Sequence, residues 1–308
     1  MKYYVGIDIG GTNIKTGVVN QHGEIIGEHS IPTGADRPQD VVLEDIISLV
    51  KASISASKVD AKKILSTGIG TPGFIDTKAG VVIYNNNLGW HDFAVASKLN
   101  DALGMPVHLE NDADAAALGE VVAGSAKGAK SAMIITLGTG VGSGYVVNEK
   151  IVPGCEFGHM VIEYGGRECT CGRKGCFESY CSATGLINMT KELISEYPDS
   201  ILAKTAKSEG VVSGHTVFDA AMNGDVESSH LIDKYTSYLA CGLVNLINGL
   251  QPEVISIGGG IGKQGERLLA PLREKVFAEV YKGIPLPKIV SCTLGYKAGL
   301  IGAAMSAR

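Results

Sequence analysis

One segment of the chain, Gly154 to Glu178, brings a histidine, cysteines and carboxylates together at spacings that can do chemistry. His159 followed by Cys169, Cys171 and Cys176 reads H-x9-C-x-C-x4-C. One imidazole and three thiolates are the donor set of a closed, tetrahedral, structural zinc site. Gly172 and Gly175 stand between the last two cysteines, where they let the backbone turn back around an ion. An isolated cysteine is usually a small buried hydrophobe, and that reading suffices for Cys155, Cys181, Cys241 and Cys292. The total of 7 cysteines is odd, and with no secretion signal in view a disulfide scaffold is not expected.

Other stretches carry groups suited to phosphate or proton handling. In Asp8-Ile9-Gly10-Gly11-Thr12, two glycines let backbone N–H groups approach an anion. Thr12 adds a hydroxyl, Lys15 a cation, and Asp8 a carboxylate able to hold Mg2+ through water. This is not a Walker A loop, which needs GxxxxGK[ST]. A second glycine-rich turn runs Gly138-Thr139-Gly140-Val141-Gly142-Ser143-Gly144, and a third is Gly258-Gly259-Gly260-Ile261-Gly262. Glu110-Asn111-Asp112-Ala113-Asp114 clusters acids at a helix start, where Asn and Asp cap orphan N–H groups but where an α/β fold also presents a general base. Asn85-Asn86-Asn87-Leu88-Gly89-Trp90 sets amides beside the only tryptophan, as an ordinary turn or as a holder of a small polyhydroxyl ligand.

The elements that must position these groups follow from periodicity. Tyr3–Ile9, Ile14–Val19 and Glu24–Ile31 read as a β-meander, Lys63–Ile69 and Val107–Leu109 as strands, and Val41–Ala56, Ala94–Leu103 and Ala115–Val122 as helices. Lys130–Leu137 and Tyr145–Val147 flank the second glycine turn as another hairpin. Helices are expected over Ala183–Tyr197, Ser200–Lys207, Thr216–Met222 and Ser228–Leu250, and strand Val254–Ile257 enters the triple-glycine turn. A bend at a strand's C-terminal end is where an α/β sheet takes a nucleotide. Helices over Glu266–Val280 and Ala298–Ala307 close the chain.

A chain of 308 residues with 45% hydrophobic content can bury a large core in one or two domains. Its net charge of −5 argues against nucleic acid as a partner, since a binding surface needs clustered Lys and Arg. The absence of a long apolar run argues against a membrane, and cytoplasmic localisation is expected.

Glu156-Phe157-Gly158-His159 followed by Cys169-Thr170-Cys171-Gly172-Arg173-Lys174-Gly175-Cys176-Phe177-Glu178 resembles the double signature of the ROK family of sugar kinases and sugar-responsive repressors, most closely the bacterial glucokinases. The glycine-rich segments match in the same order, so the resemblance covers essentially the whole chain. It implies the actin/hexokinase-like ATPase fold (ribonuclease H-like α/β), with duplicated βββαβ units in two lobes and a cleft between them. The expected lobes are residues 1–115, with the C-terminal helix at about 296–308 packing back, and residues 116–295 carrying the zinc loop.

By the same resemblance, Asp112 is the catalytic base and Asp114 is structural. Gly73, Asn87, Asn111, Asp112, Glu156, His159 and Glu178 hold the sugar. ATP phosphates meet Asp8, Gly10, Gly11, Thr12 and Lys15 on one side and Gly138, Thr139 and Gly140 on the other, and Gly258, Gly259 and Gly260 lie against the adenosine. His159 serves both the zinc and the sugar. The implied reaction is ATP- and Mg2+-dependent phosphorylation of a free hexose, foremost glucose to glucose 6-phosphate, in a homodimer or homotetramer. N-acetylmannosamine and N-acetylglucosamine kinases share the motifs. A sugar-responsive repressor is the contrasting class, but the phosphate-loop strand begins at residue 3 and leaves no winged helix-turn-helix in view.

Overall fold

The computed structural model describes all residues from 1 to 308. Strand β1 (Tyr3–Ile9) pairs antiparallel with β2 (Asn13–Asn20), which pairs antiparallel with β3 (Ile25–Pro32). Helix α1 (Gln39–Ser57) crosses over to β4 (Ile64–Thr71). The short strands β5 (Phe74–Asp76), β6 (Val81–Asn85) and β7 (Trp90–Phe93) form a small antiparallel sheet of their own. Helix α2 (Val95–Leu103) then leads to β8 (Val107–Asn111) and directly into α3 (Asp112–Ala123). The main sheet has the order β3-β2-β1-β4-β8, with β1, β4 and β8 parallel.

The rest of the chain repeats the plan. Strands β9 (Ser131–Leu137), β10 (Val141–Val147) and β11 (Lys150–Val152) come first. The histidine and cysteine loop and the helices α4 (Phe177–Cys181), α5 (Ala183–Glu196), α6 (Ile201–Glu209), α7 (Thr216–Met222) and α8 (Val226–Leu250) are inserted next. Strand β12 (Val254–Gly258), the single turn α9 (Gly259–Gly262), α10 (Glu266–Glu279), β13 (Lys288–Ser291) and α11 (Ala298–Ser306) complete the chain. This sheet runs β11-β10-β9-β12-β13, position for position the order of the first. That doubling is the actin/hexokinase-like plan expected from the sequence.

By packing, the chain divides into one unit of Met1–Ser131, Gly144–Pro153 and Thr293–Arg308 and another of Ala132–Ser143 and Gly154–Cys292. The first unit therefore extends beyond residue 115, where the sequence placed its end. The reason is α11, which belongs to that unit and grips α3 through small residues. A Cβ at Gly302 would overlap the Ala115 carbonyl, and one at Gly119 would overlap the Ala298 carbonyl. Between its sheet and helices the first unit buries Ile7, Ile9, Ile14, Ile46, Val50, Leu99 and Trp90. In the second unit, α8 lays Leu231, Tyr235, Leu239 and Leu243 along one buried stripe at a spacing of four residues. Its N-cap, Asp225, accepts from Ser228 N at 2.8 Å and from Leu202 N at 3.0 Å, so one carboxylate starts α8 and holds α6.

Gly302→Ala should lower stability by about 1–3 kcal/mol or more, because the added methyl meets backbone that cannot rotate away. Gly249→Ala, on α8 with nothing within 4 Å of the new Cβ, should be neutral or slightly stabilising. Thermal denaturation of the pair checks this, and equal midpoints would contradict the α3–α11 packing.

Candidate active site

In the first unit, the β1–β2 pairing sets Asp8 opposite Lys15, and Lys15 Nζ lies 3.4 Å from Asp8 Oδ2. Burial pushes the Asp8 carboxyl above its ordinary range, and the charge and hydrogen bond of Lys15 pull it back down. Lys15 also lies 5.4 Å from the centre of the Tyr296 ring, so its ammonium is shared between a carboxylate and an aromatic face. The turn between them is braced: Thr33 Oγ1 donates to Gly10 O at 2.6 Å and Thr33 N to Thr12 O at 2.9 Å. Gly10 N donates to Asn13 O at 3.0 Å. This amide closes the turn rather than standing open to an anion, which corrects the expectation for Gly10.

Gly11 packs against Asn87, with 3.7 Å between its would-be Cβ and that of Asn87. The asparagine loop is thus laid beside the glycine turn within the same unit. Its organiser is Asn85, which is 1% exposed. Asn85 Nδ2 donates to Pro72 O at 2.7 Å, and its Oδ1 accepts from Asn87 N at 2.9 Å and Leu88 N at 3.1 Å. Gly73 has φ +112°, and a Cβ there would sit 2.5 Å from Tyr84 O. Asn87 remains exposed. Trp90, by contrast, is buried and packs edge-on against Phe93 at 4.9 Å, so it serves the core and does not stand beside the loop's exposed amides.

Strand β8 ends at Asn111 and α3 begins at Asp112, three residues earlier than expected. Asn111 is the N-cap: its Oδ1 accepts from Ala113 N at 2.9 Å and Asp114 N at 3.4 Å, leaving its amide Nδ2 as the group for other partners. Asp112 occupies the first helical position, where the positive end of the helix favours a carboxylate. At the other end of α3, Glu120 is 1% exposed and accepts from Ser125 N at 2.8 Å, Leu294 N at 2.8 Å and Thr293 N at 3.0 Å. Sequence reasoning missed this clamp. Its one signal was an acid set among Ala, Gly, Leu and Val beyond the first turn of the helix.

In the second unit, the ligand atoms of His159, Cys169, Cys171 and Cys176 all lie within 4.8 Å of one another. His159 Nδ1 is 3.6 Å from Cys169 Sγ, and Cys171 Sγ is 3.7 Å from Cys176 Sγ. Bonds of about 2.3 Å to sulfur and about 2.05 Å to nitrogen around a tetrahedral ion would separate two sulfurs by about 3.8 Å and nitrogen from sulfur by about 3.6 Å. The His159–Cys169 and Cys171–Cys176 separations match those edges, and the whole set, within 4.8 Å, needs only a small contraction to close on an ion. Burial pushes Cys176 up to about 12, with its cysteine neighbours adding to the rise. Burial opposes ionisation of Cys169 too, but hydrogen bonds from Cys171, Ser179 and His159 bring it down to about 7. A bound cation would favour all three thiolates.

The loop is tied to the second glycine hairpin. Ser143 Oγ donates to Cys155 O at 2.7 Å and accepts from Phe157 N at 3.1 Å, and at Gly158 only hydrogen fits beside the Val141 carbonyl. Glu178 joins the two: Oε2 accepts from Val141 N at 3.0 Å, and Oε1 accepts from Thr170 Oγ1 at 3.1 Å. Glu156 is exposed, one turn before His159, whose amide donates to Glu156 O at 3.1 Å. Because Nδ1 of His159 faces the cluster, its Nε2 is left for another partner. Thr139 is exposed at the hairpin tip, between Gly138 and Gly140.

The sequence profile of the ROK family matches residues 4–308. The glucokinase of Halalkalibacterium halodurans is 37% identical over 313 aligned positions, covering 98% of this chain and 93% of that protein. Among solved structures, the ROK hexokinase from Thermus thermophilus aligns with a TM-score of 0.85 at 29% identity, covering 99% of this chain and 97% of that one. The ROK family glucokinase from Streptomyces griseus, solved in complex with glucose and AMPPNP, aligns with a TM-score of 0.77 at 31% identity and covers 99% of both chains.

Asn85→Ala should lower stability by about 1–3 kcal/mol, because it strips partners from backbone groups in a buried turn. Urea denaturation measures this, and an unchanged midpoint would mean that the loop carrying Asn87 does not depend on Asn85.

Proposed function

The chain belongs to the ROK family, and on that premise we propose that it is an ATP-dependent glucokinase, transferring the γ-phosphoryl group to the 6-hydroxyl of glucose. The full-length likeness to glucokinases carries the reading. In it, Asp112 at the head of α3 accepts the proton of the attacking hydroxyl. Gly73, Asn87 and Asn111 on the first unit, and Glu156, His159 and Glu178 on the second, hold the sugar. Lys15 and the backbone near Thr12 and Thr139 stabilise charge on the transferring group, so the protein contributes chiefly positioning and electrostatics. Asp8 would help to hold a Mg2+ brought by the nucleotide, which would supply further charge neutralisation.

We assign the four-donor cluster to structural zinc. With His159, Cys169, Cys171 and Cys176 as ligands no coordination position is left open for catalysis. Its office is to hold the imidazole ring so that Nε2 is presented to a sugar hydroxyl. Soluble substrates, reduced thiols and the lack of any helix long and apolar enough to cross a membrane suit a cytoplasmic enzyme. The dimer expected from the family belongs to the same proposal.

The reading is tested by coupled ADP release with glucose, N-acetylmannosamine, N-acetylglucosamine and mannose at saturating MgATP. Glucose should give the highest kcat/KM, and a higher value for N-acetylmannosamine would overturn the substrate assignment. Asp112→Asn should lower kcat by about 10²- to 10⁴-fold with little change in thermal midpoint, since Asn is nearly isosteric at the first turn.

Elemental analysis should find about one zinc per chain, and Cys171→Ser should release it. Structural zinc contributes roughly 10–16 kcal/mol of apparent binding energy in small domains, so the loop should lose order with the metal. A folded, active, zinc-free preparation would refute the assignment.

A further inference from the structure

In the second unit a continuous surface leads away from the Gly138–Gly140 hairpin. The triple-glycine turn sits on the end of β9: Gly259 has φ +80°, and a Cβ there would overlap the Leu137 carbonyl, one residue before the hairpin. Gly260 on the same turn is exposed and has open space where a side chain would stand. The hairpin is bound to the start of α5, Ala183 N donating to Gly138 O at 2.7 Å and Thr184 Oγ1 to Thr139 O at 2.7 Å. Gly214 comes next, its would-be Cβ 3.9 Å from Ala183 Cβ and in overlap with Ile261 Cδ1. At the far end stand His215 and Gln264, with His215 Nδ1 2.6 Å from Gln264 Nε2.

This row lies at the C-terminal end of β12, between the parallel strands β9 and β13, where an α/β sheet takes its ligand. A nucleotide with its phosphates at the hairpin and its ribose over Gly260 would bring its base to the His215–Gln264 pair. The hydrogen bond between the two fixes their chemistry. An amide nitrogen donates and cannot accept, so His215 Nδ1 must be the acceptor and its proton is on Nε2. Gln264 is thereby oriented with Oε1 turned away from His215 as its one acceptor, beside the second Nε2–H. His215 is itself anchored, its amide donating to Ser213 Oγ at 3.2 Å.

Resting on the kinase reading, we propose that Gln264, oriented by His215, reads the base of the phosphoryl donor, with Oε1 accepting the exocyclic amine of adenine. A purine with a carbonyl at that position loses this bond and sets an acceptor against Oε1, so it is used less well. Gln264 is the specificity residue and His215 the positioning residue.

The test compares kcat/KM for ATP with that for ITP, which replaces the amine by a carbonyl and keeps the ribose and triphosphate. The ratio does not depend on how much of a preparation is active. The wild-type enzyme should favour ATP by roughly 5- to 100-fold, the discrimination expected of one well-placed base contact. Gln264→Leu should collapse the ratio towards one. His215→Phe, which offers no acceptor, should lower it, and His215→Asn, whose side-chain oxygen can still accept from Gln264, should restore it. A Gln264→Leu enzyme that keeps the wild-type ratio, or a wild-type enzyme that does not distinguish the two nucleotides, overturns the proposal while leaving the kinase standing. Failure to use any nucleoside triphosphate would instead overturn the kinase reading and this proposal with it.

Discussion

Helix α3 owes its position to a contact that only hydrogen atoms permit. Where Gly302 and Gly119 face the carbonyls of Ala115 and Ala298, α3 and α11 meet backbone to backbone, closer than any side chain would allow. Such a contact has almost no freedom to slide, because moving it would drive a methyl or a carbonyl into a filled space. Glu120 secures the end of the same helix by gathering the amides of Ser125, Thr293 and Leu294 on one buried carboxylate. The first turn of α3, with Asn111 as its cap and Asp112 after it, is therefore held from two directions.

The second unit solves a related problem with different means. Its loop from Gly154 to Cys176 has only a 3-10 turn at Phe157–His159 and isolated bridges, so sheet and helix hydrogen bonds cannot hold it. Three kinds of tie replace them: the converging donors of His159, Cys169, Cys171 and Cys176, the hydroxyl of Ser143, and the carboxylate of Glu178. Glu178 has the widest reach, because one oxygen is on the hairpin amide of Val141 and the other on Thr170 in the loop. Glu178 therefore joins the loop to the hairpin alongside Ser143. Cys169 Sγ also approaches Oε1 at 3.8 Å, so the same carboxylate touches the cysteine cluster directly.

The doubled sheet order explains why two such different halves belong to one chain. Each half provides a glycine turn between its first two strands and a set of parallel strands beside it. The halves differ in what is inserted into that frame. The first carries the three-stranded sheet with Asn85 and Gly73, and the second carries the metal-type loop and the helices α4 to α8.

What the sequence determined by itself was the chemistry of the donors and the plan of the long elements. Spacing named His159, Cys169, Cys171 and Cys176 as one set, because metal ligation demands particular atoms from nearby positions in the chain. Strong hydrophobic periodicity also made β1, β9, α1 and α8 readable, since long elements repeat their burial pattern many times. Strands β5, β6 and β7 were not readable: three to five residues give too few alternations to stand out. Nor did composition show that Asn85 is the buried organiser of the loop whose Asn87 the resemblance singled out, or tell Trp90 as core from Trp90 as ligand platform. Neighbouring residues of one type separate only when the fold buries one and exposes the next. The first unit's extent, the Glu120 clamp and the closed amide of Gly10 were likewise decided by packing between residues far apart in the chain, a distance that no local pattern encodes.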